Sequence, residues 1–226
     1  MRRQTSMGTC SLCGKDFSRL FMTRHLITCS LPGPKLLAVS PPAKQMSNRS
    51  FHLFVDARYA KEYWMHLAVP AEAPLDVVDA FLRQIWLECC DHLSAFTIEG
   101  RRYSSEPMGE CEESGMGVRL SRILRPGMVF SYEYDFGSTT DLSLKVLGLR
   151  DLEGPRGVVK LLARNHPPAV ACDRCGRQPA TEICIECACK NQGWLCASCA
   201  EAHECSSEMR LPVVNSPRTG VCAYAG

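Results

Sequence analysis

Between residues 172 and 205 the chain repeats one spacing, C-x2-C-x8-C-x2-C-x8-C-x2-C-x3-H-x1-C, through Cys172, Cys175, Cys184, Cys187, Cys196, Cys199, His203 and Cys205. Eight soft ligands in four pairs satisfy two tetrahedral Zn2+ ions, each taking two pairs. The eight-residue spacers are too short for separate domains but long enough to interleave. The array therefore predicts a two-zinc cross-brace module over 171–206. The first and third pairs (Cys172, Cys175, Cys196, Cys199) hold one ion, and the second and fourth (Cys184, Cys187, His203, Cys205) hold the other. Cys189 offers an alternative to Cys187 on spacing alone. Four protein ligands leave no position for water, so both ions are structural. Large apolar residues are few here beyond Ile183, Ile185, Trp194 and Leu195, so the segment needs its metal to fold.

A second set opens the chain. Cys10, Cys13, His25 and Cys29 read C-x2-C-x11-H-x3-C, close to the spacing of a ββα finger. His25 and Cys29 lie one helical turn apart, and Phe17 and Met22 fall on the face that packs over the ion. Residues 8–30 are predicted to be a C2HC zinc finger, bringing the expected count to three zinc ions per chain. Residues 31–50 place Pro32, Pro34, Pro41 and Pro42 among Gly, Ser, Lys and Asn without periodicity. This composition predicts a linker that leaves the finger free to reorient.

The chain has 15 cysteines, mostly in C-x2-C pairs with histidine nearby, and no secretory leader. That favours metal over disulfides, and a reducing, cytoplasmic setting. No run of eighteen apolar residues occurs, so no membrane span is expected. The formal net charge is +2, but ten ligand thiolates offset by three Zn2+ shift it to about −2. A mildly acidic chain lacks the cationic field that drives binding to phosphate backbones.

The core candidate is 51–150. Phe51–Val55 and Tyr63–Val69 are aromatic and β-branched runs, the second closed by Pro70. Asp76 is positioned to cap a helix carrying Val77, Val78, Phe81, Leu82, Ile85 and Trp86 at helical spacing. Phe96–Ile98 and Arg102-Tyr103 flank a tight turn at Glu99-Gly100, and Val129–Tyr134 and Leu142–Leu147 supply later strands. Glu106–Gly117, which includes Cys111, reads as a mobile acidic loop. The expected fold is α+β: a small mixed sheet with one main helix, flanked by the finger and the cross-brace module, with a tail at 207–226 packing on the core.

Asp91-His92-Leu93, Ile98–Tyr103, Leu120–Gly127 (L-S-R-I-L-R-P-G) and Tyr132–Gly137 (Y-E-Y-D-F-G) together make this region resemble the plasmid pRiA4b open-reading-frame-three-like family. Trp64 and Pro70 sit where that family has a tryptophan and a V-P pair. The resemblance implies a compact α+β fold in prokaryotic proteins linked to plasmids or transposons, with no established biochemical activity. The family continues Y-D-F-G with an aspartate, a tryptophan and a histidine where this chain has Ser138, Thr140 and Leu142. Asp135 reads as a structural acid accepting backbone N–H bonds in the turn before Gly137. The array at 172–205 resembles B-box-like fingers, and the tail from Leu211 to Cys222 resembles the terminus of zinc-bearing members of the same family.

Twelve ligands leave Cys89, Cys90, Cys111, Cys189 and Cys222. Cys89-Cys90-Asp91-His92 is the one cluster that pairs a nucleophile with a base. Adjacent residues do not face each other, however, and cysteine after a core helix behaves as a small buried apolar side chain. No phosphate-binding loop or nucleophile elbow occurs. The leading expectation is a zinc-stabilised binding or adaptor protein, regulatory and linked to a prokaryotic mobile element or host system, with a protein partner. One rival is nucleic-acid binding through the finger, which alone spans about three base pairs. The other is an unrecognised hydrolase or nuclease.

Overall fold

A computed structural model of the chain describes residues 6–29, 49–107, 113–151 and 158–226. Most of the 31–50 linker and Cys111 of the acidic loop lie outside the described residues. The elements are β1 (Met7–Cys10), β2 (Asp16–Ser18), α1 (Arg19–Thr28), β3 (Arg49–Ala57), β4 (Trp64–Pro70), α2 (Asp76–Leu82), β5 (Ser94–Ile98), β6 (Arg101–Ser104), β7 (Glu113–Gly115), α3 (Leu120–Ile123), β8 (Val129–Tyr134), β9 (Thr140–Asp151) and β10 (Lys160–Asn165). These strands form a sheet in the order β2-β1-β10-β4-β3-β9-β8-β5-β6-β7, antiparallel except for the β6–β7 pair. The fold is α+β with a mixed sheet, but the sheet is not small. It has ten strands because β1, β2 and β10 extend it beyond 51–150.

Both faces of the central strands are covered, which explains why β3 and β4 read as near-continuous apolar runs instead of alternating ones. Phe51, Leu53 and Val55 of β3 and Met65, Leu67 and Val69 of β4 enter the main core with Val78, Leu82 and Trp86 of the helical segment. The intervening Trp64 and Ala68 face the finger, where they meet Met22 and Leu26 of α1 and Leu162 of β10. A strand with period-two side chains and two buried faces is apolar at most positions, and the buried polar residues here, His52, Asp56 and His66, have polar partners.

The main helix starts with Asp76 as its first residue, and Leu75 holds the capping position without a side-chain cap bond; the expected Asp76 cap is corrected accordingly. From Arg83 to Leu87 the helix continues as a π-helical turn. Asp79 is buried, and its carboxylate is satisfied by Ser94 Oγ at 2.6 Å, Tyr132 Oη at 2.8 Å and Arg83 Nε at 2.9 Å. Three donors offset the cost of taking that charge out of water. Glu99 (φ 49°) and Gly100 (φ 81°) both occupy the left-handed region, the signature of a type I′ hairpin joining β5 to β6.

The finger does not reorient on a tether. Its strand β1 pairs antiparallel with β10, matching Gly8 to Asn165 and Cys10 to Ala163. Arg19 at the start of α1 ion-pairs with Asp56 of β3, donates to the Lys61 carbonyl and lies over the Phe54 ring. Arg150 of β9 donates to the Cys29 carbonyl at 3.1 Å. Beneath α1, His52 and His66 hydrogen-bond each other at 3.0 Å, and His66 Nε2 reaches Thr23 Oγ1 at 3.4 Å. Proline-rich composition described the connecting segment; it carried no information about strand pairing on either side of it.

The C-terminal region builds β11 (Glu182–Cys184), α4 (Ile185–Ala188), β12 (Trp194–Leu195), α5 (Ala197–Glu201) and β13 (Arg210–Pro212). Its sheet has the order β12-β11-β13. The buried apolar cluster there joins Cys184, Leu195 and Ala200, and Ile183 and Ala180 are also buried. Beyond β13 the chain runs back onto the main sheet domain. Ser216 Oγ donates to the Trp86 carbonyl at 2.5 Å, Asn215 exchanges bonds with Asn165, and Arg218 is completely buried.

Candidate metal centres

A C-x2-C pair chelates one ion when the chain between the cysteines folds into a tight turn. At Cys10–Cys13 the Gly14 N–H returns to the Cys10 carbonyl at 2.8 Å, with Gly14 at φ 71°. Cys172–Cys175 repeats the construction: Gly176 N–H bonds the Cys172 carbonyl at 2.8 Å and Gly176 has φ 63°. The glycine after each pair supplies a left-handed turn that a side chain would strain. At Cys196–Cys199 the fourth residue is Ala200, whose N–H bonds the Cys196 carbonyl at 2.9 Å as α5 begins.

These turns bring the ligand candidates together. Cys10, Cys13, His25 and Cys29 form one group; Cys172, Cys175, Cys196 and Cys199 a second; Cys184, Cys187, His203 and Cys205 a third; in each the donor atoms all lie within 4.8 Å of one another. Tetrahedral zinc with Zn–S bonds near 2.3 Å separates two ligand sulfurs by about 3.8 Å and a sulfur from an imidazole nitrogen by about 3.6 Å. The sulfur pairs Cys10–Cys29, Cys175–Cys196 and Cys187–Cys205 stand at 3.9, 3.8 and 3.7 Å. Cys13 Sγ is 3.3 Å from His25 Nε2, and Cys187 Sγ is 3.6 Å from His203 Nε2. Cys189 stays outside the third group, exposed, with its sulfur 3.3 Å from the Glu186 carbonyl. Phe17 stacks on His25 with ring centroids 4.1 Å apart and orients that imidazole.

The thiols of one group cannot all ionise unaided. In the second group burial pushes the Cys172 thiol up, but N–H bonds from Cys196, Cys175 and Arg174 outweigh it and hold the thiol near 6, whereas Cys199, hydrogen-bonded to Cys196, is pushed up to about 12. In the third group Cys205 is driven up to about 12 by Glu186 and Cys187, and in the finger burial and the neighbouring thiols raise Cys29 to about 11. Like charges crowded at one point resist joint ionisation, and a dication removes that penalty. The soft donor sets, the tetrahedral spacings and this frustration are all compatible with zinc.

A fourth group, Cys89, Cys90, His92 and Cys222, meets the same 4.8 Å condition. The reading of Cys89 and Cys90 as small buried apolar residues is corrected for Cys90, which is exposed, whereas Cys89 is half-buried against the main core; Cys222 is exposed. The C-C-x-H run was visible in the sequence. Its fourth member was not, since Cys222 lies 130 residues beyond His92 with no spacing rule to connect them. The Asp91 side chain is 99% exposed with its carboxylate 3.4 Å from Arg83 Nη1, whereas His92 Nε2 lies 3.7 Å from Asp135 Oδ2. Asp135 accepts the Gly137 and Ser138 N–H groups at 3.1 and 3.2 Å and also an ion pair from Arg218 at 2.6 Å.

No family model matches the chain, and no curated protein is significantly similar to it. Among solved structures it is similar to the crystal structure of the protein of unknown function MM3350 from Methanosarcina mazei Go1. The identity is 16% and the TM-score 0.42, over 51% of this chain and 67% of that one. No helix among the described residues is long and apolar enough to cross a membrane.

Proposed function

We propose that this chain is a zinc-stabilised binding protein, with Zn2+ in the finger and at both positions of the C-terminal module, and that helix α1 docks a protein partner. The outward face of α1 carries this reading: Leu20, Phe21 and Ile27 are 81, 63 and 76% exposed, and nothing among the described residues covers them. Three large apolar side chains on one short helix form a patch of the kind that marks interaction sites. Arg24 is also exposed on α1, whereas Arg19 is committed to Asp56 and the Lys61 carbonyl. The matching surface is apolar with a carboxylate opposite Arg24.

A finger helix that reads duplex DNA presents polar and cationic side chains to base edges and phosphates. Here the face offers leucine, phenylalanine and isoleucine with one arginine. The resemblance of 51–150 to the pRiA4b family supports a regulatory role tied to a prokaryotic mobile element or its host, without specifying the partner.

The test combines a photo-crosslinking residue at position 28 in cells with a titration on mixed-sequence duplex DNA at about 150 mM salt, where non-specific electrostatic binding is weak. A discrete protein adduct that disappears with Leu20→Asp and Ile27→Asp supports the proposal. Sub-micromolar DNA binding abolished by Arg24→Ala overturns it.

A further inference from the structure

Cys89, Cys90 and His92 follow the π-helical turn that ends at Leu87, and Cys222 arrives from the far end of the chain. Cys90 Sγ and Cys222 Sγ are 3.7 Å apart, and Cys222 Sγ is 3.7 Å from His92 Nε2. Both distances are close to the edges of a zinc tetrahedron. We propose that Cys89, Cys90, His92 and Cys222 bind a fourth Zn2+, a clasp that fastens the C-terminal arm to the main sheet domain.

The surroundings support the ligands independently of their spacing. Arg218, fully buried, directs Nε and Nη2 at Cys89 Sγ, each at 3.4 Å, and its guanidinium is held by Asp135 at 2.6 Å, the Ser138 carbonyl at 3.2 Å and Thr140 Oγ1 at 3.1 Å. A guanidinium fixed behind a sulfur orients it toward the open side, as outer-shell groups do at metal sites. Asp91 and Cys222 both have φ of 55°, a conformation non-glycine residues rarely adopt. One lies between two of the ligands and the other is a ligand, so the backbone is turned where the donors must converge. The arm is brought there by its own contacts, Ser216 to the Trp86 carbonyl and Asn215 to Asn165.

Binding releases three thiol protons to solvent and leaves a Cys3His site with one net negative charge beside the Arg218–Asp135 ion pair. No C-x2-C turn pre-forms this site, and Cys222 joins the others from 130 residues beyond His92 in the sequence. Cys90 and Cys222 are open to solvent. The clasp therefore gives up its metal to a competing chelator before the other three sites do, and the arm is released with it.

The total of four ions rests on zinc filling the other three groups, but the difference between variants does not. The full chain, prepared in reductant without chelator, is analysed for zinc per chain and for amide exchange over 213–224. Cys222→Ser and Cys90→Ser each lower the zinc content by one relative to the wild type, and Cys222→Ser speeds exchange in the arm. Cys189→Ser, outside every group, lowers nothing. Both test positions are exposed, so the fold tolerates the changes. Equal zinc in wild type and both variants, or a Cys90–Cys222 disulfide in the freshly prepared protein, overturns the clasp alone. A wild type with no zinc overturns it together with the proposed function.

Discussion

The N-terminal finger and the C-terminal cysteine module share a knuckle, a C-x2-C pair closed by a glycine in the left-handed region, yet the two are supported differently. The finger hairpin continues the ten-stranded sheet through β10, and Met22 and Leu26 are buried against Trp64, Ala68 and Leu162. The C-terminal module has a three-stranded sheet and an apolar cluster of Cys184, Leu195 and Ala200, with ligand cysteines packed around it. So small a cluster cannot offset the chain entropy of ordering the module. On the proposed function, zinc is thus one support among several in the finger and the principal support in the module, although the local ligand geometry is nearly the same.

The largest effect expected from this contrast follows removal of a module ligand. Under the proposed function, Cys184→Ser or Cys172→Ser removes a ligand of a structural zinc site, worth on the order of 10 kcal/mol of folding free energy in a metal-dependent domain. Amide protection across 182–212 is lost, while β3, β4 and β9 keep theirs. Hydrogen exchange read by mass spectrometry decides it, and loss of protection in those three strands would break the distinction.

Acid should instead attack the finger's junction with the sheet. Burial pushes His66 down to about 3, with His52 and Arg150 adding to it, and burial with Arg150 pushes His52 down to about 4, both from 6.5. Below pH 6.5 the unfolded chain takes up protons that the folded pair refuses, so stability falls as pH drops from 6.5 toward 4. The loss is roughly 3 kcal/mol for each histidine by the usual conversion of a shift into free energy. Denaturant midpoints at pH 7 and 5, taken where elemental analysis shows the metal retained, should reveal it. His66→Gln should flatten the acid limb, and an unchanged limb would remove the histidine pair from the account.

A smaller effect isolates strand pairing. A Cβ at Gly8 would stand 2.7 Å from the Trp64 indole and closer still to the Arg164 carbonyl. Gly8→Ala should therefore cost about 2 kcal/mol, as overpacking does. Thermal melting should shift for the sheet domain, and protection across 182–212 should stay as it was. Coincident loss in both regions would show that they unfold as one unit.

The sequence was most legible where a few neighbouring residues decide the geometry. Helix α1, the left-handed Glu99-Gly100 turn, strand β8 and the Asp135 turn all lie where local pattern predicts them. The acid's second role, accepting Arg218 from the C-terminal arm, had no local sign. The meeting of Cys90 with Cys222 was missed for the same reason. Adjacent residues on one turn do not face each other, but that argument said nothing about a distant segment coming to meet them.

Ligand spacing by itself determined that cysteines and histidines would gather in tetrahedral groups, because a C-x2-C turn is a short-range property of backbone and glycine. It also determined an α+β core, since strand and helix periods are written in neighbouring side chains. Only the tertiary structure decided that β1 joins β10, that the sheet has ten strands and both faces covered, and that Cys222 reaches Cys90. Those outcomes depend on which remote edges and surfaces bury one another. That choice is made by the summed packing of the whole chain and leaves no periodicity in any single stretch of it.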